Sequence, residues 1–96
     1  MRELITVTLD ELKIFLRVDA DIDDTLINAL AISSEETVEG VLGFPLSNFG
    51  EEIPDIVRQT VCILTARRYE NRLGETLHKD GVLARSLLQG YRDKTW

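Results

Sequence analysis

Three aspartates at alternate positions, Asp19, Asp21 and Asp23, have the spacing of the first ligands in a calcium-binding loop. Such a loop also needs a glycine at its sixth position for the sharp turn and a glutamate at its twelfth as a bidentate ligand. This chain has Asp24 and Leu30 at those positions. Because both the turn residue and the strongest ligand are missing, we interpret the cluster as a solvated turn with the N-cap of a helix.

A nucleophilic catalytic site would have to use the single cysteine, Cys62, or the single histidine, His78. Nucleophilic catalysis needs a base within hydrogen-bond reach and a third group that orients the base. Cys62 lies in an apolar stretch, which is typical of a small core residue, and His78 lies in a polar stretch. The chain also has no zinc-ligand spacing, Walker loop or dinucleotide-binding glycine pattern. We therefore expect no enzymatic activity, no metal and no cofactor.

The sequence also contains one cluster of acidic residues and one cluster of basic residues. The acidic cluster consists of Glu35, Glu36 and Glu39, and the basic cluster consists of Arg67, Arg68, Arg72 and Lys79. Nothing in the sequence separates the proton affinities of the glutamates, so we interpret them as a solvated face. The basic side chains could contact phosphate, but we favour the interpretation that they extend from a buried helix and pair with acidic residues.

Helices must position these residues, and the clearest signals mark the first two. Thr8 and Glu11 have capping-box spacing, which predicts a helix over 8–16. A second helix is predicted over 23–42, because Gly43 can close it in the left-handed conformation and a proline follows. Its apolar stripe leaves the glutamates largely outside and consists of Leu26, Ile27, Leu30, Ser34, Val38 and Val41.

The rest of the chain predicts two more helices. A loop over 44–52 precedes a central, most buried helix at about 54–72, and a polar loop over 75–81 precedes a helix at about 82–92. Residues 5–7 have strand propensity but no obvious partner. We therefore predict one all-α domain over 1–96, a small bundle of four or five helices with essentially no sheet.

Composition is that of a small globular protein, and its charge is distributed unevenly. The 96 residues are 44% hydrophobic and 29% charged, and no apolar run approaches a membrane span. Residues 1–55 carry a net charge of −10 and residues 56–96 carry +4. The two halves could pair within one chain or join copies head to tail, an arrangement that forms rings when the rotation closes. The overall acidity argues against a sequence-specific DNA-binding protein.

Three motifs in order carry a family resemblance. They are T-L-D-E-L-K-x-F-L-R-V-D from Thr8, G-x-P-L from Gly43 and R-R-Y-E-N-R from Arg67. In this order, the chain resembles the small helical head–tail connector proteins of tailed bacteriophages and prophages, also called DNA-packaging adaptors, over about residues 5–92. It departs from the fuller family pattern in its short loop at 44–52 and in the short segment after the last predicted helix.

The resemblance implies a structural role in the virion neck, after assembly in the host cytoplasm. About a dozen copies would form a homo-oligomeric ring under the portal protein, extend the DNA channel and dock the next neck or tail protein. Contact with DNA would be non-specific at most, and no membrane would be involved. The resemblance also leaves the portal-docking element to be found, and we assign that role to Trp96 at the end of the chain.

The uneven charge supplies a hypothesis for contacts between copies. An acidic face of one copy would meet a basic face of the next, through Glu35, Glu36, Glu39, Arg67, Arg68 and Arg72. An alternative function is a non-catalytic helical protein-interaction module, such as a small regulator or a toxin–antitoxin partner. That alternative shares the helical fold and the lack of catalysis but not the ring.

Overall fold

The computed structural model describes residues 3–70 and 77–89, and α-helices account for most of them. Within those ranges there are four α-helices and one short 3-10 helix, and no strand is found there. The helices are α1 (Leu9–Leu16), α2 (Asp24–Leu42), α3 (Asp55–Glu70) and α4 (Leu77–Leu87), with the 3-10 helix at Leu46–Phe49. The predicted all-α bundle is confirmed. Arg72 and Trp96, to which the sequence assigned roles, lie outside the described residues.

The capping box predicted for α1 is present. The Thr8 hydroxyl accepts a hydrogen bond from the Glu11 N–H at 3.1 Å, and the Glu11 carboxylate accepts one from the Thr8 N–H at 2.9 Å. At the other end, Arg17 adopts a left-handed conformation with φ 59° and closes the helix by donating its N–H to the Ile14 carbonyl. A helix this short depends on packing for its stability, and Leu12 is its fully buried residue.

Helix α2 has the predicted ends but buries a different face. It starts after Asp23 and stops at Gly43, which has a φ of 86°. The residues it buries are Ile27, Ala31, Ser34, Glu35, Val38 and Leu42. Leu26, Leu30 and Val41 of the predicted stripe are only partly buried. The buried face is rotated toward Ala31 and Glu35 because α2 packs against α1, α3 and α4 together.

Helix α3 also packs against each of the other three helices, consistent with the predicted central position. It follows Pro54, whose carbonyl accepts hydrogen bonds from the N–H groups of Val57 and Arg58. Its buried residues include the polar side chains of Thr60, Thr65 and Arg68 as well as aliphatic ones. The α2–α3 contact thus forms the middle of the bundle and contains polar groups that need partners.

Two predicted loops contain helical residues, at 77–81 in the loop predicted over 75–81 and at 46–49 in the loop predicted over 44–52, while residues 75 and 76 lie outside the described residues. Helix α4 starts at Leu77, five residues before the predicted start, and continues through Gly81. A glycine inside a helix costs about 1 kcal/mol relative to alanine. Burial of Ala84 and Leu88 in the core offsets this cost. In the predicted loop 44–52, the 3-10 helix buries Leu46 completely.

Candidate interaction surface

Glu35 is fully buried, so the predicted solvated acidic face is wrong for this residue. Its Oε2 accepts hydrogen bonds from the Ile5 N–H at 3.0 Å, the Thr6 N–H at 2.9 Å and the Thr6 hydroxyl at 2.6 Å. Segment 5–7, which has strand propensity but no strand partner, is bound by this carboxylate instead. Ile5 and Thr6 are thereby fixed to α2.

Arg58 fastens the same segment from α3. Its Nε donates to the Thr6 carbonyl at 3.0 Å, and a terminal guanidinium nitrogen lies 3.1 Å from a carboxylate oxygen of Glu11. The hydrogen bond from the Thr8 N–H is the main cause that lowers the pKa of Glu11, and Arg58 lowers it further. Segment 5–7, α1 and α3 are therefore joined through one guanidinium group.

Arg68 lies between α2 and α3 with only 5% of its surface exposed. Its two terminal nitrogens donate to the hydroxyls of Ser33 and Thr37, each at 2.8 Å. Glu35 and Arg68 therefore act inside one copy of the chain. Their burial corrects the hypothesis that they face a neighbouring copy, because a contact between copies requires exposed side chains.

The other members of the two charged clusters differ in exposure. Glu36 is exposed, whereas Glu39 is half-buried and accepts a hydrogen bond from the Leu46 N–H at 2.8 Å. Arg67 is half-buried and has interactions within the chain. Glu36 is thus the exposed member of the acidic cluster, and Arg67 keeps part of its surface accessible.

The aspartate cluster forms structural contacts with other helices. Lys13 on α1 lies 2.7 Å from Asp21 and 2.9 Å from Asp24, and these contacts raise the pKa of Lys13 and lower the pKa of Asp21. Asp23 accepts a hydrogen bond from the Tyr69 hydroxyl at 2.6 Å. The turn thus connects α1, α2 and α3. No group of three or more metal-ligating side chains is found in the described part of the chain.

Apolar side chains line a groove on the surface between α1 and α3. This α1–α3 groove has a volume of about 410 Å³ and is lined by Val7, Ile14, Phe15, Cys62 and the polar residues Glu11, Asp55, Arg58 and Gln59. Ile14 is 78% exposed and Phe15 is 51% exposed, although Phe15 lies at helical spacing from the buried Leu12. Partial burial raises the pKa of Cys62, which keeps the thiol protonated near pH 7.

Sequence reasoning missed this groove, because it arises where two helices meet. The one local signal was Ile14, an apolar residue outside the stripe that Leu9, Leu12, Phe15 and Leu16 form at helical spacing. Other exposed apolar side chains are Ile5, Ile22 and Val82. Isolated exposed apolar residues are common on protein surfaces, so exposure of one such residue does not by itself indicate a binding surface. The groove is a surface suited to protein contact.

Comparisons with known proteins give one match. The family model described as phage gp6-like head–tail connector protein matches residues 6–95, which include all four α-helices. No curated protein and no solved structure matches the chain. Among the described residues, none of the helices combines the length and apolar character needed to cross a bilayer.

Proposed function

Since this chain belongs to the phage gp6-like head–tail connector family, whose members are structural proteins of the virion neck, we propose that its copies form a ring beneath the portal. In this proposal, the ring contains about a dozen copies, extends the channel through which DNA passes and offers a docking surface to the next neck or tail protein. The family match over residues 6–95 is the observation that carries the proposal.

Surface chemistry supports association between copies. Ile14 and Phe15 expose apolar area beside one another on α1, and burial of such area favours association. The acidic charge of residues 1–55 and the basic charge of residues 56–96 favour contacts between unlike parts of two copies. Heterologous contacts of this kind repeat from copy to copy and form a ring when the rotation between neighbours closes.

This proposal assigns fewer residues to charge pairing between copies than the sequence predicted. Glu36 is its acidic member, and the basic members are Arg67 and Arg72, the latter outside the described residues. An exposed ion pair contributes only about 0–1 kcal/mol and weakens with salt. We therefore propose that charge orients the copies and that contact with the portal promotes ring formation. DNA in the channel would make non-specific contacts.

The proposal is tested by measuring the oligomeric state with and without the portal protein of the same phage. Native mass spectrometry over a concentration series would give the number of copies, and negative-stain electron microscopy would show a ring. We expect a discrete ring of about a dozen copies, formed at lower concentration when the portal is present. If only monomers and dimers form, even with the portal, the ring is refuted and the helical interaction module becomes the better interpretation.

A further inference from the structure

We propose that the α1–α3 groove of one copy receives the outer face of α4 from the next copy. This inference rests on the proposed ring and names the surfaces that would join its subunits. The occupant is a second copy of this chain, which contributes an apolar and basic helix face to an apolar groove with an acidic rim. The contact is distinct from the pairing of Glu36 with basic residues.

The groove presents chemistry suited to a helix. Its apolar part combines Ile14 and Phe15 of α1 with Cys62 of α3, and all three are at least partly exposed. Asp55 and Glu11 add acidic groups to its lining. Glu11 is paired with Arg58, whereas Asp55 lies exposed in the first turn of α3. A partner that fits the groove therefore needs an apolar side chain and a cation close together.

The outer face of α4 has that combination. Val82 is 58% exposed and Arg85 is exposed, while Ala84 and Leu88 are buried in the core. Residues three apart on a helix are neighbours on its surface, so Val82 and Arg85 lie side by side. Placing Val82 against Phe15 and Cys62 would bring a guanidinium group to the acidic rim.

Charge favours this pairing over contact between two grooves. Two grooves facing each other would bring Asp55 of one copy toward Asp55 of the other, and like charges that approach each other oppose association. The arrangement of helices also suits contacts between unlike surfaces. Helices α1 and α4 each pack on α2 and α3, and among the described residues they do not form a packed pair with one another. Among the described residues, none of α4 lines the groove, so the groove and the α4 face are separate parts of the surface, as a repeating heterologous contact requires.

Cys62 is a natural thiol inside the groove, which allows a direct test by cross-linking. We would mix the natural chain, labelled with ¹⁵N, with an unlabelled double variant Cys62→Ala, Val82→Cys under the conditions that form rings. Mild oxidation would then link thiols that lie close together, since a disulfide needs Cβ atoms within about 3.5–4.5 Å. Mass spectrometry of the denatured protein would count labelled–unlabelled dimers. We expect them to exceed same-label dimers at least fivefold.

A matched control is the double variant Cys62→Ala, Asn48→Cys, because Asn48 is exposed and belongs to the 3-10 helix rather than to α4. We expect it to give no excess of mixed dimers. If rings form but the Val82→Cys variant, like this control, gives no excess of mixed dimers, the proposed groove contact is wrong and the proposed ring is unaffected. An excess of Cys62–Cys62 dimers would also overturn it, in favour of grooves that face each other. If no ring forms under any condition, the proposed function fails as well.

Charge exchange provides a second measurement. We expect Asp55→Arg and Arg85→Asp each to lower the fraction of chains in rings severalfold, and the two substitutions together in one chain to restore at least half of it. Far-UV circular dichroism would establish that each variant is folded. Rings that are unaffected by either single substitution, or a double variant that shows no recovery, would contradict the proposal.

Discussion

The interior of the bundle and the outer face of α1 distribute polarity in opposite ways. In the interior, where a small protein usually packs hydrocarbon, Arg68 between α2 and α3 and Glu35 between α2 and segment 5–7 are buried and hydrogen-bonded. On the outer face of α1, which contacts solvent, Ile14 is 78% exposed and Phe15 is 51% exposed. The difference indicates that the interior favours one arrangement of helices, whereas the outer face of α1 leaves apolar surface accessible.

Each distribution has a physical consequence. A buried charged group is tolerated only when hydrogen bonds satisfy it, so Glu35 and Arg68 disfavour other packings of α2 against α3 and against segment 5–7. Exposed apolar side chains gain free energy only when a partner excludes water from them. A ring subunit needs both properties, because neighbours can repeat regularly only if every copy has the same shape.

Removing the buried carboxylate of Glu35 is expected to have the largest effect on stability. We expect Glu35→Ala to lower the free energy of unfolding by about 3 kcal/mol, because buried donors of Ile5 and Thr6 lose their acceptor. Equilibrium unfolding in urea would measure it. The matched control is Glu36→Ala at the next position, which is exposed and should change stability by less than about 0.5 kcal/mol. Equal effects of the two substitutions would contradict the interior role of Glu35.

The second prediction concerns the buried guanidinium group. We expect Arg68→Ala to destabilise the protein by about 2 kcal/mol, because the hydroxyls of Ser33 and Thr37 lose a charged donor and the α2–α3 contact loses packing. Urea unfolding would again measure the change. Arg85→Ala, which removes an exposed arginine from α4, serves as the control and should have little effect on unfolding. A destabilisation no larger than that of the control would show that Arg68 is dispensable inside the bundle.

A third prediction uses pH to test the charge at the start of α1. Because the pKa of Glu11 is lowered in the folded protein, its carboxylate stabilises the fold above the unfolded value of 4.5, and this contribution is lost as the pH falls through the folded pKa. We expect Glu11→Gln to melt at a lower temperature than the natural protein at pH 7, and the difference to shrink below about pH 4.5. Thermal unfolding at several pH values would show this. A difference that is constant with pH would mean that the charge of Glu11 does not contribute.

The fourth prediction concerns the exposed apolar surface. We expect Ile14→Ser to change the free energy of unfolding by less than about 0.5 kcal/mol, because Ile14 is 78% exposed, but to lower the fraction of chains in rings. Urea unfolding and native mass spectrometry would measure the two quantities. The control is Ile22→Ser, which removes a side chain that is 89% exposed and lies outside the groove. The comparison fails if Ile14→Ser unfolds the protein or leaves the rings intact.

The smallest expected effect is that of an exposed charge. We expect Glu36→Lys to leave the fold unchanged and to reduce ring formation slightly, with a difference that disappears at high salt. Sedimentation velocity at two salt concentrations would measure it. If rings were unaffected at low salt, Glu36 would have no part in contacts between copies.

The sequence by itself determined features that depend on neighbouring residues in the chain. Thr8 and Glu11 form a capping box wherever a helix starts there, because both hydrogen bonds are local. Gly43 ends α2 because its conformation is accessible to glycine at little cost. The all-α class and the family resemblance, which the match over residues 6–95 confirms, likewise come from the order of local motifs.

Tertiary structure alone decided which charged and apolar residues lie inside. Glu35 and Glu36 are adjacent glutamates with the same local signals, yet the first is buried because donors about thirty residues earlier in the chain converge on it. Phe15 has the spacing of a core residue but lies in the α1–α3 groove, since α3 covers only part of α1. Burial is a property of the surfaces that meet, and no pattern within one helix specifies where its neighbours end.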